Sequence, residues 1–502
     1  MARKMLHPWA VYASFVVSTL FYCIQHYRIG ISWDFAVYVM NGKFFFGAPG
    51  YFELGRAPLA SLLLGIFSFL GIYGEYVYII GVSLLFLYAS IRLADALNLD
   101  ASLFYTLSIT PFTLMYGTFA GTELLSLALI ELGVASIIEG RVAGHWLALA
   151  SLVRYPNIPV ILLLLGYLNF RKIIQNSAVF AAVWIPWLLY NRLFFDNLFA
   201  SLANTYLLNI ASRANAQYYF SLMEFLLTMN ITLLLLVVGI LLPLYEGMHT
   251  LLRKGNLTMA KRDVMSFALV ALLLILPLTS MITMPVKIPR YLFILIAPSV
   301  VFFLKGVQKK RFANKKNMAL LLAALLIINC IFAFSHLIRS NADDPERYKT
   351  AARIAVSSPV KNCSFMSDEW VPLNAVGFSA RPIPPYRKNY EYFLDKGYAY
   401  LIFYSYEEFY AKLPPNSIAL RDEYLISNEI LKTARVIYSD ASFMLIGYPK
   451  KCRGREMQYV NIYLDWYQEN VRLNESLNAC DVLFSGDIMQ SMCRRVNVQR
   501  NH

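Results

Sequence analysis

Asp34, Glu53 and Arg56 stand close together near the N-terminus, in Ile31-Ser32-Trp33-Asp34-Phe35 and Tyr51-Phe52-Glu53-Leu54-Gly55-Arg56-Ala57-Pro58, with apolar text on both sides. Ionisable groups at a membrane are costly to place there and mark function by default. A carboxylate in such a place can take the proton of an attacking hydroxyl. Cations beside it can take up the charge that grows on a departing phosphate. Three cations are candidates besides Arg56. Lys287 and Arg290 lie in Met284-Pro285-Val286-Lys287-Ile288-Pro289-Arg290-Tyr291, and Arg154 interrupts an apolar run as Leu152-Val153-Arg154-Tyr155-Pro156. Another acid, Glu123, opens an apolar stretch as Gly121-Thr122-Glu123-Leu124-Leu125.

These groups are set in a chain of 502 residues that is 58% hydrophobic and only 15% charged, with a mean hydropathy of +0.50. Several long apolar runs make it an integral membrane protein. The first run, Pro8 to Ile24, has no small-residue cleavage site after it and reads as a retained helix rather than a removed signal peptide. The net charge of +14 sits largely in short loops between apolar runs: Arg3-Lys4, Arg171-Lys172, Arg253-Lys254 with Lys261-Arg262, and Lys305 with Lys309-Lys310-Arg311 and Lys315-Lys316. That is the positive-inside pattern. No aromatic-basic platform accompanies these loops, which argues against nucleic acid as a partner.

Apolar length places spans near 8–25, 76–94, 101–117, 122–139, 177–195, 221–246, 264–284, 291–306 and 317–337. Pro58 to Leu70 is apolar but short and reads as an interfacial helix. Residues 146–170 read as split at Arg154. This arrangement puts Asp34, Glu123 and Arg154 on one outer face and gives about 11 spans in an all-α membrane domain.

The chain changes character after Leu337. Residues 338–502 are polar and read as an extracytoplasmic α/β domain, with residues 1–337 as the membrane domain. Strands are expected over 362–366, 398–404, 434–438 and 443–446, the last two joined by a turn at Ser439-Asp440. Four cysteines fall here, Cys363, Cys452, Cys480 and Cys493, while Cys23 and Cys330 lie in membrane runs. Four cysteines in one external domain point to two disulfides with three possible pairings. None has the spacing of a zinc site. Asn362 and Asn474 begin glycosylation sequons.

Sugar transfer from a lipid phosphate needs a base for the acceptor hydroxyl, cations for the phosphate, and a greasy groove for the polyprenyl chain. The residues for each are present, and their order resembles the polyprenyl-phosphate-dependent glycosyltransferases of the GT-C fold, a family that includes protein O-mannosyltransferases and the aminoarabinose transferases of lipid A. The matches are Asp34 early in the first outer loop; Arg56-Ala57-Pro58-Leu59-Ala60 at the start of an amphipathic helix; Glu123 at a helix opening; Leu152-Val153-Arg154-Tyr155 at an apex; Pro186-Trp187-Leu188-Leu189-Tyr190-Asn191 late in a helix; and Arg290-Tyr291-Leu292 at the start of another. The resemblance implies Asp34, with Glu53 and Glu123, as the catalytic carboxylates. It implies Arg290, Lys287, Arg154 and Arg56 at the donor phosphate, and Trp33, Tyr291 and Asn191 as substrate-positioning residues. The implied partners are a polyprenyl (dolichyl) phosphate sugar, a glycan, protein or lipid acceptor, and the bilayer. The implied location is the cell membrane, or the endoplasmic reticulum membrane in a eukaryote.

The departures are informative. Asp34 is followed by Phe35, so there is no Asp-Glu pair or Asp-x-Asp motif, and no divalent metal or other cofactor is expected to be required. Leu464-Asp465-Trp466-Tyr467 is not a sequon-reading motif, which argues against an oligosaccharyltransferase. Plainer roles stand beside the catalytic ones: a helix N-cap for Asp34, a solvated loop charge for Glu53, a helix-dipole acid for Glu123, interfacial anchors for Lys287 and Arg290, and a plug at a helix break for Arg154. Glu131, inside the fourth span, is expected to face a polar partner in the bundle. Tyr206, Tyr218 and Tyr219 read as interfacial belt, with a sugar-lining role as the alternative. The rival classes are a secondary transporter, which would favour inverted repeats and midplane charges, and a non-catalytic assembly protein.

Overall fold

The computed structural model describes residues 7–29, 32–48, 50–206, 222–254, 268–278, 289–309, 315–339, 345–384, 389–403, 435–440, 442–452, 454, 456, 458–461, 463–473 and 490. The chain runs through α1 (Pro8–Ile29), α2 (Trp33–Phe45), β1 (Gly50–Glu53), α3 (Pro58–Ile66), α4 (Ile72–Ala96), α5 (Ala101–Ser108), α6 (Pro111–Tyr116), α7 (Glu123–Ile138) and α8 (Gly144–Val153). A 3₁₀ segment (Tyr155–Tyr167) leads to α9 (Phe170–Phe195), α10 (Ala200–Tyr206), α11 (Leu222–Lys254) and α12 (Ala268–Leu278). A second 3₁₀ segment (Pro289–Leu295) opens α13 (Ile296–Lys309), and α14 (Lys315–Arg339) follows. Among the described residues five helices are long and apolar enough to cross a membrane, and four more apolar helices are shorter. The protein is therefore a multi-pass membrane protein.

The stretch read as one span over 101–117 is two short helices, because Pro111 has no N–H to continue the ladder and opens α6 instead. The carbonyls this break frees cannot find water in a bilayer and must be met by side chains. Thr113 Oγ1 donates to the Ser108 carbonyl at 2.6 Å, and Asn329 Nδ2 of α14 donates to the Ile109 carbonyl at 2.7 Å. Tyr22 of α1 donates to the Thr113 carbonyl at 3.1 Å, and Thr110 and Thr232 share a hydrogen bond at 2.9 Å. Glu131 finds the polar partner expected of it: its Oε2 accepts from Ser90 Oγ at 2.8 Å.

Two features position the loop that follows α1. α3 has nine residues, a rise of about 14 Å that is half a bilayer core, so it is too short to span one. It also packs tightly on α2. A Cβ on Gly42 would stand 2.6 Å from the Ser61 carbonyl oxygen and 2.9 Å from the Gly65 nitrogen, so only glycine lets the two backbones meet. At the other apex, α8 ends at Val153 and Arg154 is extended (φ −148°, ψ 119°) before the 3₁₀ segment begins.

The rest of the chain forms α15 (Pro345–Ser357), β2 (Ser364–Ser367), α16 (Trp370–Ala375), β3 (Arg381–Pro382), α17 (Tyr390–Asp395), β4 (Tyr398–Ile402), β5 (Val436–Ser439), β6 (Met444–Ile446), β7 (Gln458–Asn461) and α18 (Tyr463–Arg472). A five-stranded mixed sheet runs β3-β2-β4-β6-β5, with β2 parallel to β3 and β4, and β6 antiparallel to β4 and β5. The four strands read from the sequence are β2, β4, β5 and β6. Asp440 makes the expected turn, its Oδ1 accepting from the N–H groups of Ser442 (2.6 Å) and Phe443 (2.9 Å). Among the described residues one disulfide is formed, Cys363–Cys452; Cys480, Cys493 and the sequon at Asn474 lie outside them.

The membrane part and the polar tail share elements. β7 pairs in parallel with β1, Gly50 to Glu53 against Gln458 to Asn461. Helix α2 faces both ways. Phe35, Tyr38 and Val39 belong to the large membrane core, while Ala36, Val37 and Met40 belong to a second core with Phe365, Trp370 and Leu445 of the tail. The sequence reads Trp33 to Tyr38 as the start of a short amphipathic helix; the helix is there and runs on to Phe45, but it is buried from Phe35 to Gly42 and so shows no amphipathic pattern. Lys43 Nζ donates to the Ala375 carbonyl at 3.0 Å across the same junction.

Candidate functional site

Helix α2 begins at a true cap. Ser32 Oγ accepts from the Phe35 N–H at 3.2 Å and donates to the Phe119 carbonyl at 2.6 Å, which also moors the loop to the turn before α7. Ser32, not Asp34, is the N-cap. The Asp34 carboxylate is thereby left for other partners, and it finds two. Arg56 Nη1 pairs with Oδ1 at 2.8 Å, and Arg290 Nη1 pairs with Oδ2. These two guanidiniums come from opposite walls, one from the loop before α3 and one from the 3₁₀ segment before α13.

All three line a cavity of about 360 Å³, whose walls also carry Tyr38, Glu123, Arg154, Tyr155, Tyr206 and Tyr291. Arg154 Nη1 meets Glu123 Oε1 at 3.2 Å, and its guanidinium lies 5.9 Å from the centre of the Tyr291 ring. Glu123 sits in the first turn of α7, its Oε2 accepting from Thr122 N–H at 3.3 Å and Thr122 Oγ1 at 3.2 Å. Its place at the helix start and its place in the cavity are therefore the same fact. A smaller cavity of about 30 Å³ shares Glu123, Arg154, Pro156 and Tyr291 and runs on between Asn157, Leu276 and Phe293.

Electrostatics at the opening follow from these pairings. Burial alone would raise the Asp34 pKa; the charges of Arg56 and Arg290, with the Arg290 hydrogen bond and Arg154, outweigh it and hold the carboxyl well below the usual carboxylate range. Burial disfavours the Arg56 charge, but Glu53 and Asp34 outweigh it and hold the guanidinium more firmly protonated than usual. The cavity thus has fixed arginines and a carboxylate that stays ionised.

Of the residues singled out in the sequence, Asp34, Arg56, Glu123, Arg154, Arg290 and Tyr291 come together here, and Tyr206 lines the same cavity. Glu53 is one step back. It is 4% exposed, and its Oε1 accepts from Arg56 Nε at 2.9 Å, so it is no solvated loop charge. Trp33 does not line the cavity; it lies edge-on to Trp370 of the tail with ring centres 6.1 Å apart. Asn191 does not reach the cavity either. It is buried, donates to the Trp187 carbonyl at 2.8 Å and accepts from the Ser201 N–H at 3.2 Å, which clips α10 onto α9. Lys287, Tyr218 and Tyr219 lie outside the described residues. Among the described residues no group of three or more His, Cys, Asp or Glu side chains is placed to hold a metal ion.

Tyr38 and Tyr155 are among the lining residues that the sequence did not assign to the site. Tyr38 stands one helical turn after Asp34, on the same face of the helix that the sequence shows beginning at Trp33. Tyr155 hydrogen-bonds Ser201 Oγ at 2.8 Å and accepts from Trp187 Nε1 at 2.7 Å, forming a wall across three elements that no local pattern announces.

No protein-family model matches the chain, and no curated protein matches its sequence. Among solved structures, the crystal structure of ArnT from Cupriavidus metallidurans bound to undecaprenyl phosphate is similar to it, with a TM-score of 0.55 at 12% sequence identity, covering 88% of this chain and 98% of that one. At that identity the likeness speaks to fold, and it extends through both the membrane part and the tail: the chain has a GT-C-type fold.

Proposed function

We propose that the protein is an integral membrane glycosyltransferase that moves a monosaccharide from a polyprenyl (dolichyl) phosphate donor to a glycan, protein or lipid acceptor, with inversion. The observation that carries this reading is the placement of Asp34 between Arg56 and Arg290 at one cavity. A base and a phosphate clamp share one opening. The similar fold of ArnT, solved with undecaprenyl phosphate, supports a polyprenyl phosphate as the carrier.

In this reading the acceptor oxygen attacks the anomeric carbon of the donor sugar and the bond from that carbon to the phosphate oxygen breaks. The electron pair stays on the phosphate, and Asp34 takes the proton of the acceptor hydroxyl. A carboxylate held by two guanidiniums is a weak base, so the donor itself has a part in activating it. The incoming phosphate draws Arg290 and Arg56, with Lys287, toward its own oxygens, and Asp34 becomes more basic as they turn away. Arg154 adds a further cation toward the phosphate, Glu123 steadies it from the first turn of α7, and the Tyr291 ring positions the substrate. Arginines supply the cationic charge at the phosphate, so the reading calls for no metal. With the basic loops inside, the cavity and the tail face away from the cytoplasm, where a lipid-carried sugar is the available donor.

The test is transfer of radiolabelled sugar from a panel of polyprenyl-phosphate monosaccharides in membranes carrying wild type or Asp34→Asn. Label that reaches an acceptor only with wild type supports the reading and identifies the donor. Equal transfer by a folded Asp34→Asn protein would refute it.

A further inference from the structure

Asn41 is buried in α2 at 1% exposure, seven residues after Asp34 and so two turns along the same face. Its side-chain amide meets both the N–H and the carbonyl of Glu53. Asn41 Nδ2 donates to the Glu53 carbonyl at 2.9 Å, and the Glu53 N–H donates to Asn41 Oδ1 at 2.8 Å. Glu53 then holds Arg56 at 2.9 Å, and Arg56 holds Asp34 at 2.8 Å. The contacts form a closed ring: helix α2 from Asp34 to Asn41, across to Glu53, on to Arg56 and back to Asp34.

We propose that Asn41 is a positioning residue for transfer, fixing Glu53 so that the Arg56 guanidinium is presented to both Asp34 and the donor phosphate. The inference rests on the glycosyltransferase reading. A paired amide suits this task because it fixes two coordinates of the Glu53 backbone at once and carries no charge of its own to compete for Arg56. Glu53 is the last residue of β1, whose other edge is held by β7. The carboxylate that sets Arg56 is thus fixed from the helix on one side and from the tail strand on the other.

The experiment measures transfer kinetics against pH for Asn41→Leu, Asn41→Asp, Glu53→Gln and the double variant Asn41→Leu/Glu53→Gln, with Asp34→Asn in the same assay. Asn41→Asp keeps an acceptor for the Glu53 N–H and serves if Asn41→Leu does not fold. The charged and titratable groups around Asp34 are Tyr38 on α2, Glu53 and Arg56 in the loop, Glu123 on α7, Arg154 at the apex, and Arg290 and Tyr291 before α13. Only the Arg56 contact is expected to loosen. The expected result is a fall in kcat of about 10- to 100-fold, the range for a small misplacement of a reacting group. With it the acid limb of the pH profile rises toward pH of about 4, the ordinary carboxylate range. Glu53→Gln is expected to do the same, and the double variant to add nothing, since both act through Arg56. Wild-type rate and pH profile in Asn41→Asp, or effects that multiply in the double variant, would overturn the inference. If that happens while Asp34→Asn is inactive, the positioning role alone fails. Full activity in Asp34→Asn refutes the glycosyltransferase reading and this inference with it.

Discussion

Arg290 and Asp34 form an ion pair that joins the 3₁₀ segment before α13 to the first turn of α2. The pair brings a late element of the bundle onto the loop that follows α1. If Arg290 leaves Asp34 for the donor phosphate, its planar fork matters as much as its charge, since lysine cannot make the same paired contact. Arg290→Lys is therefore expected to lower kcat/KM for transfer by about 100-fold or more, the usual scale for losing one donor to developing charge. Arg56 still pairs with Asp34, so the protein is expected to remain monodisperse in detergent. Transfer assays beside size-exclusion profiles check both halves.

Gly42→Ala tests the seat of the helix that carries Asp34. The added Cβ would meet backbone, the Ser61 carbonyl and the Gly65 nitrogen, rather than a flexible side-chain end. Helix α2 must then move off α3, and both Asp34 and Asn41 move with it. Thermal stability in detergent is expected to fall by an amount corresponding to about 1–3 kcal/mol, the cost of overpacking. Transfer is expected to fall more steeply than stability does. Gly47→Ala is the control for an added methyl with open space around it, though its positive φ of 81° costs it some strain.

The tail should be more stable in mild acid. Asp368 is buried at the end of β2, where burial pushes its pKa up to about 6 despite hydrogen bonds from the Phe403 and Glu369 N–H groups. Its folded-state pKa is above the unfolded value, so the native protein binds the extra proton. Stability is then greatest below the unfolded value near pH 4, falls as pH rises toward 6, and is lower by about 3 kcal/mol above that. The Tm of the wild-type protein is expected to rise as pH falls from 7 to 5. That slope should disappear in Asp368→Asn, which keeps an acceptor for Phe403 N–H without a charge to bury. A flat wild-type profile over this window would show that Asp368 is not the titrating group.

The parts of this architecture that could be read from the sequence are those whose signal is local. Asp34, Glu123 and Arg154 stand out because each interrupts apolar text at a helix end, and all three line the cavity. The sheet was legible for the same reason: β2, β4, β5 and β6 carry short apolar runs with a turn residue at Asp440. Trp33 and Asn191 carry polar or aromatic signals that look the same whether they serve a ligand or the fold; here Trp33 meets Trp370 and Asn191 hydrogen-bonds Trp187 and Ser201, away from the cavity lining. The pairing of Asn41 with Glu53 was invisible, because a buried amide closing on a backbone leaves no periodic trace. So was the double burial of α2, since a helix covered on all sides has no polar face to reveal its period.

The pairing of β1 with β7 also sets an order of assembly. A ribosome delivers residues 50–53 early and residues 458–461 almost last, and the two strands must then meet. Contacts so distant along the chain form late, because the loop between them has to be closed before they are rewarded. The loop that follows α1 therefore waits, with one edge of β1 unpaired, through the insertion of every later helix. Maturation of the segment that carries Asp34 and Glu53 becomes a post-translational event, and a chain stopped short of β7 would carry every membrane helix described here yet lack the strand that completes the loop bearing Glu53.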